Sequence, residues 1–133
     1  MTRIFFLLLT LSGIIFFSCK KENDHPSPFQ TLQGNWEWQE SNGGFAGWQL
    51  TPASEGYTQS LEIDTDTYKM YRNDSLLFES TYTIKQVQDP IIGPSKDVIE
   101  LDTQSDMGYQ ISNDSLFLFD QCFDCYFHLY TRK

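Results

Sequence analysis

Basic residues are scarce in this chain. Nine Lys and Arg stand against eighteen Asp and Glu, a formal net charge of −9. A chain this acidic repels phosphate backbones, so nucleic acid is excluded as a partner class. Cysteines number three and histidines two, too few for a disulfide scaffold or a zinc cluster. There is no Gly-x-Ser-x-Gly elbow and no His-x-x-x-His pair. The glycines between Ser41 and Gly56 are not followed by Gly-Lys-Ser/Thr, so they form no phosphate cradle. Asp64-Thr65-Asp66-Thr67 lacks the Gly and distal Glu of a calcium loop and reads as a turn. No catalytic residue, metal set or cofactor site is therefore expected. Long stretches with i, i+3, i+4 apolar spacing are also missing, which argues against a helical fold.

One apolar run exists, Ile4 to Phe17, after a short n-region with Arg3. It is too short to cross a hydrocarbon core of ~30 Å, which needs ~20 residues. It fits the apolar region of a secretory signal. With Phe16-Phe17-Ser18-Cys19 it resembles a bacterial lipoprotein signal ending in a lipobox. The resemblance implies cleavage before Cys19, acylation of its thiol and amine, and attachment to a membrane through lipid. Lys20-Lys21-Glu22-Asn23-Asp24 follows, then His25-Pro26-Ser27-Pro28, a solvated and partly stiff tether. A Cys followed by Lys and acidic residues resembles lipoproteins of the Bacteroidota. That likeness implies an outer-membrane address, on its periplasmic or cell-surface side. The expected organisation is a signal at 1–18, a tether at 19–30 and one domain at 31–133. Losing Arg3 with the signal takes the formal charge from −9 to −10.

What the chain has in abundance is aromatic bulk: eleven Phe, seven Tyr and three Trp. Its periodicity is two. Apolar and polar residues alternate in Ser60-Leu61-Glu62-Ile63-Asp64, and Tyr68 with Met70, Tyr82 with Ile84, Ile99 with Leu101 and Tyr109 with Ile111 flank single polar residues. Turn residues bound each run, the pattern of half-buried antiparallel strands in a meander. Asn73-Asp74-Ser75-Leu76 recurs as Asn113-Asp114-Ser115-Leu116, and both copies read as hairpin turns. Strands are expected at 33–41, 57–64, 66–72, 75–85, 97–102, 107–112, 115–119 and 126–132. The fold class is then all-β, an eight-stranded antiparallel up-and-down barrel, since closure removes exposed edges.

Gly34-Asn35-Trp36 opens the first strand. Gly-x-Trp at the entrance of such a meander resembles the lipocalin signature. The resemblance implies that Trp36 plugs one end of the barrel and that Arg132, near the chain end, packs across it. Trp36-x-Trp38, the glycine-rich stretch Ser41–Gly47, Thr51-Pro52 and the closing Phe127-His128-Leu129-Tyr130-x-Arg132 extend the likeness to small lipocalin-like lipoproteins of the Bacteroidota. It covers most of residues 31–133.

Three regions are candidate sites. In the loop from Ser41 to Gly56, Phe45 and Trp48 are read either as a lid over an apolar pocket or as core. Cys122-Phe123-Asp124-Cys125 has three readings: a redox pair, a metal site with His128 or Asp120, or a local disulfide. A redox pair needs a helix N-terminus, and a structural zinc site needs four ligands. Once Cys19 is assigned to lipid, the other two cysteines form an even pair at turn spacing, and the disulfide is expected. His128 shares its parity with Tyr126, Tyr130 and Arg132 and is read either as a polar group in the cup or as a hydrogen-bonded structural histidine. Two functions follow. In the first, a small hydrophobic ligand binds inside a barrel lined by Tyr68, Met70, Tyr82, Ile84, Ile99 and Tyr109. In the second, the barrel is filled, and its loops bind an envelope protein or serve a structural role. Neither reading is enzymatic.

Overall fold

Strands form where period-two alternation lets one face pack against aromatic bulk. The computed structural model of the protein describes residues 32–88 and 97–133. The expected signal at 1–18, the acylation site Cys19 and the tether lie outside them. Nine strands occur among the described residues: β1 (Gly34–Gly43), β2 (Trp48–Leu50), β3 (Gln59–Ile63), β4 (Thr67–Arg72), β5 (Ser75–Gln86), β6 (Asp97–Leu101), β7 (Met107–Ser112), β8 (Ser115–Asp120) and β9 (Tyr126–Arg132). Eight of them match the expected segments closely. The short β2 and a one-turn helix, α1 (Pro52–Glu55), were not anticipated and subdivide the stretch between Ser41 and Gly56.

All sequential pairings are antiparallel, and β1 also pairs with β9, so the sheet closes into an eight-stranded barrel. The extra strand β2 extends the edge of β1 beyond β3, pairing Ser41 with Leu50 and Gly43 with Trp48. The seams are unequal. β1 meets β9 from Trp36–Arg132 through Gly43–Tyr126. β6 meets β7 through two residue pairs only, Val98–Gly108 and Ile99–Met107. Tight turns hold the hairpins. Asn73 and Asp74 sit at φ +48° and +61°, and Asn113 at +53°, angles that Asn and Asp tolerate better than other side chains.

The inward residues form one core. Leu32, Trp36, Trp38, Leu61, Ile63, Tyr68, Tyr82, Ile99, Leu101, Tyr109, Leu116, Leu118 and Tyr130 are all buried within it. Met70 and Ile84 pack against it while partly buried. Two bulges alter the alternation. Between Trp38 and Glu40 the pairing of β1 with β9 slips by one residue. Trp36 and Trp38 point inward before it, and Ser41 rather than Glu40 is buried after it. A second slip, opposite Met70 and Tyr71, leaves Leu77 unpaired in β5, and Leu76 and Leu77 are exposed there.

Candidate site at the barrel mouth

The two ends of the barrel are built from the same kinds of group. At the end where β1 begins, the Arg132 guanidinium lies 4.1 Å over the Trp36 ring. Its Nη1 donates to Gln33 O at 2.9 Å, and Trp36 Nε1 donates to Leu32 O at 2.9 Å. Trp36 and Leu32 are fully buried. Gly34 sits at φ +140°, and a Cβ there would overlap Arg132 Nη1. The Gly-x-Trp spacing thus has a local cause: the glycine leaves the volume that the guanidinium fills before it reaches the tryptophan two residues on.

At the other end, the mouth, Tyr57 stacks on Trp38 with ring centroids 5.6 Å apart and planes 16° apart. Arg72 covers the outer side of Tyr57 at 4.0 Å. The segment bearing Tyr57 is shaped by α1, whose Thr51 side chain caps Ser54 N while Ser54 Oγ caps Thr51 N. Gly56, at φ +72°, ends the turn. Leu50 and Tyr57 both pack on the core. The cover of the mouth is therefore Leu50 and Tyr57. Phe45 and Trp48, expected as lid or core, instead face solvent, 95% and 61% exposed. The reason is the β1–β2 hairpin, which turns its tip outward and brings only its far strand end, Leu50, back to the barrel.

Beneath that cover runs a polar chain. Trp38 Nε1 donates to Ser41 Oγ at 2.8 Å, and Ser41 Oγ is 2.6 Å from His128 Nδ1. His128 Nε2 is 3.4 Å from Asp120 Oδ2. A carboxylate facing Nε2 favours the proton there, so in the neutral ring Nδ1 accepts from the Ser41 hydroxyl. The order of serine, histidine and aspartate invites a nucleophilic reading, but Ser41 is only 4% exposed and its oxygen already accepts the indole hydrogen. The chain instead satisfies Trp38 inside the barrel and holds β1, β8 and β9 in register. His128 is thus a hydrogen-bonded member of the cup. Nothing in the sequence pattern singled out Ser41, because its inward direction depends on the β1 bulge.

The interior tyrosines split in the same way. Tyr130 accepts from Gln59 Nε2 at 2.6 Å, and Tyr82 donates to Asp64 O at 2.7 Å. The Tyr68 and Tyr109 hydroxyls are buried without a partner. Burial pushes the Tyr68 hydroxyl well above its ordinary range, with Tyr130 and Asp120 adding to it. Tyr109 is pushed up to about 12, first by burial and then by Asp97 and Tyr82. Tyr130 is also raised by burial, against the opposing hydrogen bond from Gln59.

Cys122 and Cys125 are joined, with their Cα atoms 5.4 Å apart. They bracket Phe123, 89% exposed, in the loop between β8 and β9. Among the described residues no group of His, Cys, Asp and Glu is placed to hold a metal ion. Two open clefts of about 410 Å³ each lie outside the core. One is lined by Gln104, Asp106, Met107, Asp120, Cys122 and Cys125 beside the mouth. The other lies on the outer wall near Ser60, Glu62, Tyr71 and Lys133. No known family model, curated protein or solved structure matches the chain.

Proposed function

We propose that this is a lipid-anchored protein of the cell envelope, attached at the outer membrane through Cys19, whose barrel is a filled scaffold presenting the loops of its mouth to a protein partner. The anchor rests on the Ser18-Cys19 lipobox and the short apolar run before it. The interior supports the interaction role over a carrier role. Trp36 and Tyr68 are 0% exposed, and Tyr130 is 1%. The side chains expected to line a ligand cavity are the packing itself. A drug-sized ligand needs ~300 Å³ or more, and the clefts of about 410 Å³ open on the outside.

Native mass spectrometry of the protein from its own host tests this. The expected spectrum shows the protein with acyl chains on Cys19 and no other stoichiometric small molecule. A hydrophobic adduct released only on unfolding would restore the carrier role. An unacylated chain still carrying residues 1–18 would overturn the anchor.

A further inference from the structure

The most exposed aromatic rings of the described residues share one junction. Gly44 N donates to Cys125 O at 3.3 Å, joining the β1–β2 turn to the β8–β9 loop. The Trp48 ring edge and the Tyr126 hydroxyl both crowd Gly44. Phe45 follows Gly44 directly, and Phe123 lies inside the disulfide loop that ends at Cys125. Phe45, Trp48 and Phe123 are 95%, 61% and 89% exposed. Single exposed apolar residues need no explanation, but clustered ones mark interaction surfaces. The disulfide and the Gly44–Cys125 hydrogen bond hold the two loop tips in place, which lowers the ordering cost of binding.

The charged groups nearest these rings are mainly carboxylates. Asp124 adjoins Phe123. Glu40 is held near Trp48 by Gln49, whose Nε2 donates to Glu40 Oε2 at 2.8 Å. Asp106 and Asp120 line the cleft of about 410 Å³ beside the disulfide, with Met107 as its apolar part. Lys85 neutralises Asp106 at 2.7 Å. Among the described residues none of Glu40, Asp120 and Asp124 pairs with Lys or Arg.

We infer that the mouth docks a protein segment that is both apolar and basic. Its apolar side chains pack on Phe45, Trp48 and Phe123, and a Lys or Arg enters the cleft to meet Asp120. The inference rests on the interaction role proposed above and names the partner's chemistry. A second copy of the chain is a poor occupant, since it brings the same carboxylates and a formal charge of −9. An anionic lipid surface is repelled by the same groups.

The test uses the full chain in detergent and two labelled peptides, one alternating lysine with leucine and tryptophan, the other with glutamate in place of lysine. The lysine peptide is expected to bind at least ten-fold more tightly, and to weaken as salt rises. The double variant Phe45→Ser/Phe123→Ser should lose at least ten-fold of that affinity with unchanged near-ultraviolet circular dichroism. Asp120→Asn and Asp124→Asn should each lose about three-fold. Equal affinity for the two peptides, lost in the double variant, would overturn the basic partner and leave the interaction role standing. Binding that the double variant keeps, or no binding, would overturn the docking surface. So would self-association through the rings, or quenching of Trp48 by brominated lipids in proteoliposomes, read against Trp48→Phe. A small hydrophobic molecule found inside the barrel would instead remove the interaction role itself.

Discussion

Each end of the barrel stacks an arginine on an aromatic ring, yet the two ends differ in what surrounds the stack. At the Trp36 end the groups come from two neighbouring strands. Gln33, Gly34 and Trp36 come from one strand entrance, and Arg132 arrives from its β9 neighbour, paired directly with Trp36. At the mouth the stack of Trp38, Tyr57 and Arg72 draws on β1, on the segment after α1 and on β4. A polar chain lies under it, and exposed rings lie around it. One end is a plug. The other is a cover with a surface built on it. The same cation–π contact, worth roughly 0.5–2 kcal/mol, therefore covers a fully buried ring in one place and a half-buried one in the other.

The largest expected difference comes from emptying the two stacks. Trp36→Ala removes a fully buried ring and should cost ~3–5 kcal/mol. Tyr57→Ala removes a half-buried one and should cost less than half as much. Urea unfolding of both variants measures the contrast. Equal losses would mean the mouth cover is as much a part of the core as the plug.

Two glycine substitutions sharpen the same contrast at smaller scale. Gly34 and Gly43 lie at φ +140° and +147° in β1, so both strain an added side chain. At Gly34 a Cβ meets the end of a flexible arginine, which can move aside and lose its stack, for about 1–2 kcal/mol. At Gly43 a Cβ meets the Cys125 carbonyl and backbone, which cannot yield without shifting the β8–β9 loop. Gly43→Ala should therefore destabilise more than Gly34→Ala. It should also move the NMR shifts of residues 122–126, whereas Gly34→Ala should move those of Arg132 and Trp36.

The smallest effect concerns the unpartnered hydroxyls. Tyr68→Phe removes a buried group that has no hydrogen bond, so stability should hold or rise by up to ~1 kcal/mol. Tyr130→Phe, which strands Gln59, should lower it. Tyr109 binds its proton more tightly folded than unfolded, because its hydroxyl is raised to about 12 from an ordinary 10. Its contribution is complete below pH ~10 and is lost as the pH rises from ~10 to ~12. Tyr109→Phe should lessen the fall of urea midpoints across that window, the raised Tyr68 and Tyr130 hydroxyls supplying the rest, and an unchanged slope would count against the burial effect.

Much of this architecture was legible in the chain. Period-two runs such as Leu61-Glu62-Ile63 marked strands because a barrel wall has one dry face and one wet one. The Asn-Asp repeats marked turns because those residues tolerate positive φ. The pairing of Cys122 with Cys125 was legible from their turn spacing together with the assignment of Cys19 to lipid, and the two meet within a single turn. The mouth was far less legible. The outward tip of the β1–β2 hairpin, the Tyr57 cover and the inward Ser41 all depend on a bulge and on partners distant in the chain. Alternation predicts which residues share a face until a bulge intervenes, and no feature of Trp38-Gln39-Glu40-Ser41 announces one.

By itself, then, the sequence determined an acidic all-β domain with a rich aromatic supply, because strand periodicity and turn chemistry are local properties. The tertiary structure decided what those aromatics do. Closure of β1 on β9 committed Trp36, Tyr68 and Tyr130 to the buried core, and loop geometry left Phe45, Trp48 and Phe123 in water. A phenylalanine carries the same apolar surface at either place. Only the packing of distant strands determines whether that surface is buried in the fold or left exposed.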